Sequence, residues 1–599
     1  MEANSATHSA SGRLGLCLSG GGFRAALFHI GTLAALAERG LLHRVEVLST
    51  VSGGSIIGAY FYLKVKQLLE GRRPGCSAPQ PAHYLDIVKE IESEFLEAVQ
   101  KNLRLRLLLN PYKTARMLLE EEYSRSDRLS ELLDSYFYNF VALAEGLPLQ
   151  EIHITPVTAA GNQYLNAKGK LSLQQYNASA AIKIPVLTIN ATCLNTGHPF
   201  HFTGSWIGEP ERNGRYRLEE NSNIVLPQLR FDGTHRNNPA QRVEDWQLES
   251  MRKITLADAV AASAAVPGIF PPLPIHNLYR DVRGQEIVVE LSDGGVFDNQ
   301  GLDALLDAHC TQFIVSDASG QLEDERLLPT DLMHTAQRAN DVMMERIRGY
   351  GYVDLKTRST AGTGSIFMHL REVAVNTPAM PALPGPGNQP GGLVYRLSAL
   401  RTDLDAFSDL EANVLMYQGY ALTHDKLVAG GLGAGSPMPA PQDWGFLSIR
   451  DVLSDARGLN RMAEHLKTGK QQFFKTFALS PCGSWLWLIF LLSPLLLWAG
   501  LWLHEHWCAA VMLPNPGMTW GELAVTLAGA LVAIAPISPK VRATFKTVWL
   551  LRITKTNPLS NVASSLLVPI ATLGALILSL LVFVWLTIYN RIFLNAGKY

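Results

Sequence analysis

The amino-acid sequence predicts an α/β domain followed by a C-terminal α-helical transmembrane region. Near the N-terminus, two short apolar segments with strand character, 14–18 and 44–51, each run through small residues into a segment with helical spacing of apolar residues. Alternating strands and helices are typical of α/β folds. Residues 484–599 differ from the rest of the chain, because they contain long apolar stretches with few charged side chains. Such stretches are typical of membrane-spanning helices.

A run of three glycines follows the first predicted strand. This strand, 14–18, leads into Gly20, Gly21 and Gly22, and a helix is predicted over 23–39. Successive glycines allow backbone N–H groups to converge without interference from Cβ atoms. Because the loop also precedes a helix N-terminus, it suits the binding of an anion or of a developing negative charge.

Three kinds of site use a glycine loop of this type. A dinucleotide-binding fold would place a pyrophosphate there, with Glu46 as the acid on the ribose, but residues 20–25 match G-x-G-x-x-G/A imperfectly. A P-loop requires Gly-Lys followed by Ser or Thr, which this loop lacks. An oxyanion hole requires only converging N–H groups, and the serine-bearing turn after the next strand favours it.

The second strand ends in the sequence STVSGGSIIGAY, residues 49–60, which contains three serines. One interpretation is an ordinary Gly/Ser-rich turn. The other is a nucleophile elbow, a sharp strand-to-helix turn that tolerates only small residues two positions before and after the serine. Ser52 has Thr50 and Gly54 in these positions, whereas Ser49 and Ser55 each have a β-branched residue in at least one of them. Ser52 is therefore the predicted nucleophile, with Thr50 in place of the first glycine of G-x-S-x-G.

An acidic turn occurs much later in the chain. Residues 287–293 have strand character, and the strand breaks at Asp293, Gly294 and Gly295. On its own an Asp-Gly pair most often marks an ordinary turn. Here it follows a helix rich in small residues and a Pro-rich loop, 257–275. That arrangement would bring a carboxylate to the end of a sheet strand.

In this order the three motifs resemble those of the patatin-like phospholipase family, which includes the catalytic domain of cytosolic phospholipase A2. The family shows G-G-G-x-R, then G-x-S-x-G, then D-G-G/A. This chain has Gly-Gly-Gly-Phe-Arg at 20–24, Thr-Val-Ser-Gly-Gly at 50–54 and Asp-Gly-Gly at 293–295. The resemblance covers roughly residues 13–60 and 180–425. It implies a three-layer α/β fold with a largely parallel central sheet.

The resemblance also implies a catalytic site, a Ser-Asp dyad without histidine. Ser52 would attack an ester carbonyl and form an acyl-enzyme, and Asp293 would take the serine proton. The oxyanion would be held by Gly20, Gly21 and Gly22. Since a free aspartate is a weak base at neutral pH, this carboxyl must be partly desolvated or have its pKa raised in some other way.

Two further polar residues follow the glycine run. Arg24 is expected to bind a substrate phosphate or to support the loop, and the alternative is a surface salt bridge. His29 lies among apolar residues of the predicted first helix. A single histidine in such a setting is usually a hydrogen-bonded core residue, so His29 is not predicted to be a catalytic base.

Composition excludes several classes of function. With 52 Lys and Arg against 53 Asp and Glu, the formal net charge is −1, and nothing suggests binding of nucleic acid. The 6 cysteines are scattered without metal-ligand spacing, which indicates a reducing compartment and no metal or other cofactor. The polar N-terminus has no apolar core segment, so no secretory signal is expected.

Three apolar segments predict membrane helices. Residues 484–504 and 564–589 each supply the ~20 apolar residues that cross a bilayer, whereas 520–538 is shorter and is expected either to span or to be re-entrant. Lysines precede the first segment, and five Lys or Arg residues lie in 540–555. The positive-inside rule therefore puts the catalytic domain and 540–555 in the cytoplasm and 504–518 outside. A third span would then put the C-terminus outside.

The predicted organisation has four parts. These are a disordered N-terminus (1–12), a catalytic domain (13–475), a helical insertion within it (62–180) and a transmembrane region of two or three spans (484–599). The insertion carries basic side chains among leucines. It is predicted either to be an ordinary helical pair packed on the domain or to touch anionic lipid.

Together these features lead us to expect a membrane-anchored serine lipid acyl hydrolase of the phospholipase A or lysophospholipase type. It would be integral to a bacterial inner membrane, with its catalytic domain in the cytoplasm. Its partners would be the bilayer and a membrane lipid substrate, and no oligomeric state is predicted. The alternatives are an acyltransferase that uses the same acyl-enzyme and a membrane scaffold that has lost activity, for which Thr50 is the only hint in the sequence.

Overall fold

The structure is a computed structural model of the 599-residue chain. It describes residues 12–76, 78–120, 123–157, 173–210, 224–320, 326–328, 331–360, 365–374, 392–430, 442–471, 475–479 and 574–599. The predicted disordered N-terminus up to residue 11 and the predicted spans 484–504 and 520–538 lie outside these ranges, as do residues 564–573 of the predicted span 564–589.

The described residues form one sheet of ten strands. Its strands are β1 (Leu14–Leu18), β2 (Val45–Val51), β3 (Val186–Cys193), β4 (His198–Phe202), β5 (Trp206–Gly208), β6 (Leu229–Arg230), β7 (Leu273–Arg280), β8 (Glu286–Asp293), β9 (Gln312–Asp317) and β10 (Ile366–His369). The first two strands agree with the sequence prediction, since β1 has the predicted bounds and β2 begins one residue later. The predicted strand before the acidic turn is also present, as β8.

Helices connect and cover these strands. The N-terminal half contains α1 (Gly22–Glu38), α2 (Gly53–Leu69), α3 (His83–Gln100), α4 (Leu103–Arg106), α5 (Pro111–Leu119), α6 (Arg125–Leu133), α7 (Asn139–Ala142), α8 (Leu173–Ser179), α9 (Asp245–Lys253), α10 (Leu256–Ser263) and α11 (Gly295–Asp298). The rest are α12 (Leu302–Asp307), α13 (Leu332–Thr360), α14 (Gly392–Ser398), α15 (Asp409–Gly430), α16 (Ile449–Ser454), α17 (Ala456–Gly469), α18 (Lys475–Leu479) and α19 (Gly574–Ala596).

The centre of the sheet is parallel and one side of it is antiparallel. Strands β10, β9, β1, β2 and β3 lie side by side in this order, and every pairing among them is parallel. Beyond β3 the sheet continues with antiparallel pairings, and β8 also joins β3 in antiparallel orientation. The sheet is thus mixed, with a parallel core built by strand-helix-strand units.

Apolar side chains on both faces of the sheet make it the middle layer of three. Leu16, Leu18 and Leu48 face the main core, where α1, α2 and α15 pack. Their neighbours Cys17 and Val47 face a smaller cluster under α12 and α13. Alternate residues of a strand point to opposite faces, so strands that are apolar throughout require cover on both sides.

The helical insertion is part of the main core. Phe95 of α3 contacts Phe23 of α1, with ring centroids 6.4 Å apart, and Phe137 at 4.9 Å. The basic side chains of this region each contact a partner within the protein, and these are Lys101, Arg104, Arg106, Lys113 and Arg116. The contacts favour an ordinary packed helical unit over a surface for anionic lipid.

Helix α19 is the one helix among the described residues that is long and apolar enough to cross a membrane, with a mean hydropathy of 1.9. Length and composition do not separate a span from an apolar helix that packs on a domain. The helix packs on the α/β domain on one side, where the Ser579 hydroxyl donates to the Leu108 carbonyl and Phe593 is fully buried. Large apolar side chains, such as Leu576 and Phe583, are exposed on its other side.

The end of the chain lies on the α/β domain. The Arg461 guanidinium donates to the carbonyl groups of Ala596 and Lys598, and the Tyr599 hydroxyl lies 3.0 Å from that of Ser448. These contacts favour a C-terminus on the same side as the α/β domain, whereas the sequence predicts it on the opposite side of a membrane. These residues bind the domain instead of leaving it, because their backbone and aromatic groups find partners there.

Candidate active site

Two strands meet the same edge of β3 end to end. The last residue of β2, Val51, lies opposite Asn190 of β3. From the next residue onward β8 takes over this edge, so that Asp293 lies opposite Ala191. Since Ser52 directly follows Val51, the ends of β2 and β8 bring Ser52 and Asp293 together, although 241 positions separate them.

Ser52 occupies a strained turn between β2 and α2. Its φ is 50° and its ψ is −119°, and the helix begins at the next residue, Gly53. A positive φ is unfavourable for a serine, and such strain costs on the order of 1–3 kcal/mol. The turn also passes close to β1, because a Cβ on Gly54 would lie 2.2 Å from the Leu18 carbonyl oxygen. This contact is the physical reason for the glycine two positions after the serine.

Thr50 fits in the elbow because residue 58 is glycine. A Cβ on Gly58 would lie 2.4 Å from Cγ2 of Thr50. The Thr50 hydroxyl donates to the Thr188 carbonyl and accepts from the Ser55 hydroxyl. Thr50 thus stands at a position where nucleophile elbows usually have a small residue. Its methyl group fits because Gly58 of α2 has no side chain.

The two other serines of the turn have ordinary structural contacts. The Ser49 hydroxyl donates to the Gly301 carbonyl at 2.6 Å. Ser55 lies inside α2, is fully buried, and its hydroxyl is 2.9 Å from that of Ser263. Of the three serines, Ser52 alone has the backbone of an elbow.

Ser263, which no motif in the sequence marks, links the elbow to the acidic turn. Its hydroxyl accepts from the Ser52 backbone N–H at 2.9 Å and donates to the Asn190 carbonyl at 2.6 Å. Its own carbonyl accepts from the Gly294 N–H. The signal in the sequence is a serine at the end of the small-residue helix α10, which precedes the two strands that lead to Asp293.

Asp293 is a buried carboxylate with one oxygen fixed. Its Oδ1 accepts from the Gly295 N–H at 2.7 Å, and the residue is 5% exposed. Oδ2 is buried and has no protein hydrogen bond of good geometry, although the nearby Ser52 side chain still lowers the pKa. Burial outweighs these contacts and raises the pKa of Asp293 to about 6. Oδ2 is therefore the atom available to accept a proton.

Glycines surround this carboxylate for steric reasons. A Cβ on Gly294 would lie 2.3 Å from the Asn190 carbonyl oxygen, and one on Gly295 would lie 2.9 Å from Oδ1 of Asp293. At the acidic turn two backbone segments therefore approach each other closely. An ordinary Asp-Gly turn does not require such a contact.

The glycine loop presents backbone N–H groups beside Ser52. Gly21 and Gly22 have φ of 136° and 58°, which L side chains rarely adopt. No hydrogen bond among the described residues uses their N–H groups. The Gly20 N–H instead donates to the Asn299 carbonyl at 3.0 Å, so it is engaged and does not serve as the third predicted donor in this structure. A Cβ on Gly20 would lie 3.2 Å from that of Ser52.

A further donor group comes from the elbow itself. Gly53 packs against the backbone of Gly22, because its Cβ would lie 2.0 Å from the Gly22 carbonyl oxygen. The helices α1 and α2 begin at these two residues, so two helix N-termini converge beside Ser52 and favour negative charge there. In nucleophile elbows the residue after the serine supplies an oxyanion donor. Gly53 could have been chosen from the sequence on that ground.

Arg24 supports the loop from below. It is 1% exposed, and its guanidinium donates to the carbonyls of Ser398, Leu400 and Ala318 at 2.6, 3.0 and 3.0 Å. Burial lowers the pKa of Arg24 to about 10. These contacts favour the loop-supporting role over phosphate binding, and they do not form a surface salt bridge.

His29 is a buried core residue. Its ring nitrogens lie 2.8 Å from the Ser316 hydroxyl and 3.0 Å from the Ser19 carbonyl. Burial lowers the pKa of His29 to about 4, so the ring is neutral near pH 7. The described residues include no group of three His, Cys, Asp or Glu side chains that is arranged to hold a metal ion.

A strained serine, a buried carboxylate beside it and converging N–H groups are the elements that serine hydrolases use. The family model of patatin-like phospholipases matches residues 16–306, a range that contains all three motifs. Over this range the chain belongs to the patatin-like phospholipase family, whose members are typically lipid acyl hydrolases.

The solved structures that match this chain include a distant one. The crystal structure of VipD from Legionella pneumophila has 14% sequence identity, with 95% of this chain and 90% of that chain covered, and a TM-score of 0.21. A TM-score this low does not establish a common overall arrangement. None of the curated proteins matches the chain.

Proposed function

We propose that the protein is a membrane-anchored serine lipid acyl hydrolase that uses Ser52 and Asp293 as a catalytic dyad. The observation that carries this proposal is the junction on β3, where the strained Ser52 meets a buried carboxylate with one uncommitted oxygen. The fit of Thr50 above Gly58 supports an intact elbow and so weighs against an inactive scaffold.

In the proposed reaction, Ser52 Oγ attacks the ester carbonyl of a lipid while Asp293 Oδ2 takes its proton. The developing oxyanion is held by the N–H groups of Gly21, Gly22 and Gly53, aided by two helix N-termini. Asp293 then returns the proton to the leaving alcohol, and the acyl group remains on Ser52. Asp293 then takes a proton from water, whose oxygen attacks the acyl-enzyme. As the bond between the acyl carbon and Ser52 Oγ breaks, Asp293 returns this proton to Oγ and the fatty acid is released. Another alcohol in place of water would make the protein an acyltransferase.

Two features support a membrane location. The segment 561–590 contains no Asp, Glu, Lys or Arg. In addition, only 28% of the most apolar window of α19 is buried within the protein, whereas a core helix would be mostly buried. We propose that the exposed apolar side chains of α19 contact lipid. Alkaline carbonate should leave the full-length protein in the membrane pellet, and release into the supernatant would refute the anchoring.

The dyad is tested with a fluorophosphonate probe and an ester substrate. The wild-type protein should be labelled and Ser52→Ala should not, whereas Ser55→Ala, which alters the buried neighbour, should still be labelled. Asp293→Asn should lower the rate of ester hydrolysis on the order of 10³-fold or more, because the asparagine side chain has the same shape as aspartate but does not accept the proton.

Persistent labelling of Ser52→Ala would reject the nucleophile. An unlabelled, inactive wild-type protein would instead support the scaffold alternative. Transfer of acyl groups to an added alcohol in preference to water would point to the acyltransferase.

A further inference from the structure

The outer side of the glycine loop rests on a distant segment of the chain. The Phe23 N–H donates to the Asp403 carbonyl at 3.2 Å. Gly22 packs on the same backbone, because a Cβ there would lie 2.6 Å from the Thr402 carbonyl carbon and oxygen. With no side chain between them, a displacement of residues 402–403 is transmitted to the Gly22 backbone.

Buried charges hold this supporting segment, residues 401–405. Arg401 and Asp405 are 3% and 1% exposed, and Nε of the arginine lies 2.9 Å from Oδ2 of the aspartate. Arg401 also pairs with Glu411, and Lys475 of α18 donates to Asp405 at 2.7 Å. Removing one partner of a buried ion pair leaves an uncompensated charge, so the conformation of this segment depends on a complete cluster.

Two residues of helix α19 contact side chains that bind Asp405. The fully buried ring of Phe593 lies 3.7 Å from Nζ of Lys475, a cation–π contact. The Asn102 side-chain amide donates to Asp405 at 2.7 Å and to Asn590 of α19 at 3.2 Å. The last turns of α19 thus reach segment 401–405 through Lys475 and Asn102, and directly through Arg401, whose guanidinium lies 5.5 Å from the Phe593 ring centroid. The glycine loop contacts the backbone of the same segment.

We propose that Phe593 and Asn590 are positioning residues for the oxyanion hole. Docking of the last turns of α19 fixes residues 401–405, and these residues fix the backbone of Gly22. The inference rests on the proposed function, and it assigns to α19 a role in turnover that is separate from membrane attachment. Turnover of a substrate that needs no membrane then depends on the docked helix.

The test uses the full-length protein in detergent with a short-chain, water-soluble ester. Phe593→Ala should lower kcat and the rate of Ser52 phosphonylation on the order of tenfold with little change in KM, because loss of a complete oxyanion donor costs 10²–10³-fold and a displaced one costs less. Phe593→Leu, which keeps most of the apolar volume, should show a smaller loss.

Ile592→Ala is the matched control, since this neighbouring side chain is 37% exposed whereas Phe593 is fully buried. It should keep kcat within about twofold of the wild-type value. Hydrogen exchange of residues 20–24 should accelerate in Phe593→Ala and not in Ile592→Ala. This readout separates a displaced loop from general unfolding, which accelerates exchange throughout β1 and β2.

The inference is overturned if exchange shows an undocked α19 in Phe593→Ala while kcat stays at the wild-type value. It is also overturned if Ile592→Ala loses as much activity as Phe593→Ala, or if Phe593→Leu reproduces the wild type while exchange reports a displaced segment 401–405. An inactive wild-type protein refutes the proposed function itself and is therefore distinguishable from these outcomes.

Discussion

The pairing of Thr50 with Gly58 leads to a double-mutant prediction. In Gly58→Ala, the new Cβ would lie 2.4 Å from Cγ2 of Thr50, well inside van der Waals contact. Thr50 cannot rotate away freely, because its hydroxyl is held by Thr188 and Ser55. Overpacking of this kind costs about 1–3 kcal/mol. Since Thr50 lies two residues before Ser52, relief of the clash also displaces the elbow.

Thr50→Ser removes the methyl group and keeps the hydroxyl. Its cost is that of one buried methyl group, roughly 1 kcal/mol. With Cγ2 absent, the nearest remaining atoms to an alanine Cβ at 58 are at 3.4 and 3.6 Å, which is ordinary contact. The double variant should therefore be no less stable than Thr50→Ser, and the helix propensity of alanine adds up to about 1 kcal/mol in its favour. The expected coupling is about 1–3 kcal/mol.

The assay is the temperature at which half of the Ser52 phosphonylation is lost after brief heating in detergent. At about 2 °C per kcal/mol, Gly58→Ala should lower this temperature by about 2–6 °C, and Thr50→Ser should restore most of the difference. Additive losses in the double variant would refute the argument, because they would mean that the two positions do not touch. An unshifted Gly58→Ala would refute it equally.

Three other predictions follow from the site. Because burial raises the pKa of Asp293 from 3.8 to about 6, kcat/KM should rise with pH through about 6. The contribution of this group to folding stability has the opposite trend, because it is fully present below pH 3.8 and is lost as the pH rises through 6. Asp293→Asn should flatten both pH profiles. His29→Gln should keep the phosphonylation rate within a few-fold, since a neutral core ring takes no proton, and a loss as large as in Asp293→Asn would contradict the dyad. Ser263→Ala should lower kcat about tenfold, as it removes the acceptor of the Ser52 N–H, whereas an unchanged kcat would show that this bond does not position the elbow.

Local sequence rules identified the parts of the site that are built from neighbouring residues. The elbow and the glycine loop each follow a strand and precede a helix, and both need small residues at fixed spacings. The rule also ranked Ser52 above Ser49 and Ser55 for the reason that the structure displays, the close passage of Gly54 over β1.

Contacts between distant segments were beyond those rules. The registers of β2 and β8 on β3 decide that Asp293 meets Ser52, and no local pattern encodes a register between strands so far apart. Ser263 and residues 401–405 were missed for the same reason. The engagement of the Gly20 N–H by Asn299 depends on a backbone contact that the glycine run does not reveal.

The position of the C-terminus gives a revised prediction of membrane topology. Contacts from Ser579 to Tyr599 join α19 and the chain end to the α/β domain. In the proposed membrane-anchored protein both would therefore lie on one side of the membrane, and the number of crossings would be even. Crossing by 484–504 and return by 520–538 would satisfy this condition.

With these two crossings, α19 lies along the domain with its exposed apolar face toward the lipid surface. The arrangement keeps the basic segment 540–555 in the cytoplasm, as the positive-inside rule requires, and it also places Arg591 and Lys598 there. Single cysteines at 510, 545 and 598 in a cysteine-free protein test it. An impermeant thiol reagent on intact cells should label the first and spare the other two, while lysis should expose all three. Labelling of 598 in intact cells would restore three crossings and would require the docked C-terminus to be abandoned.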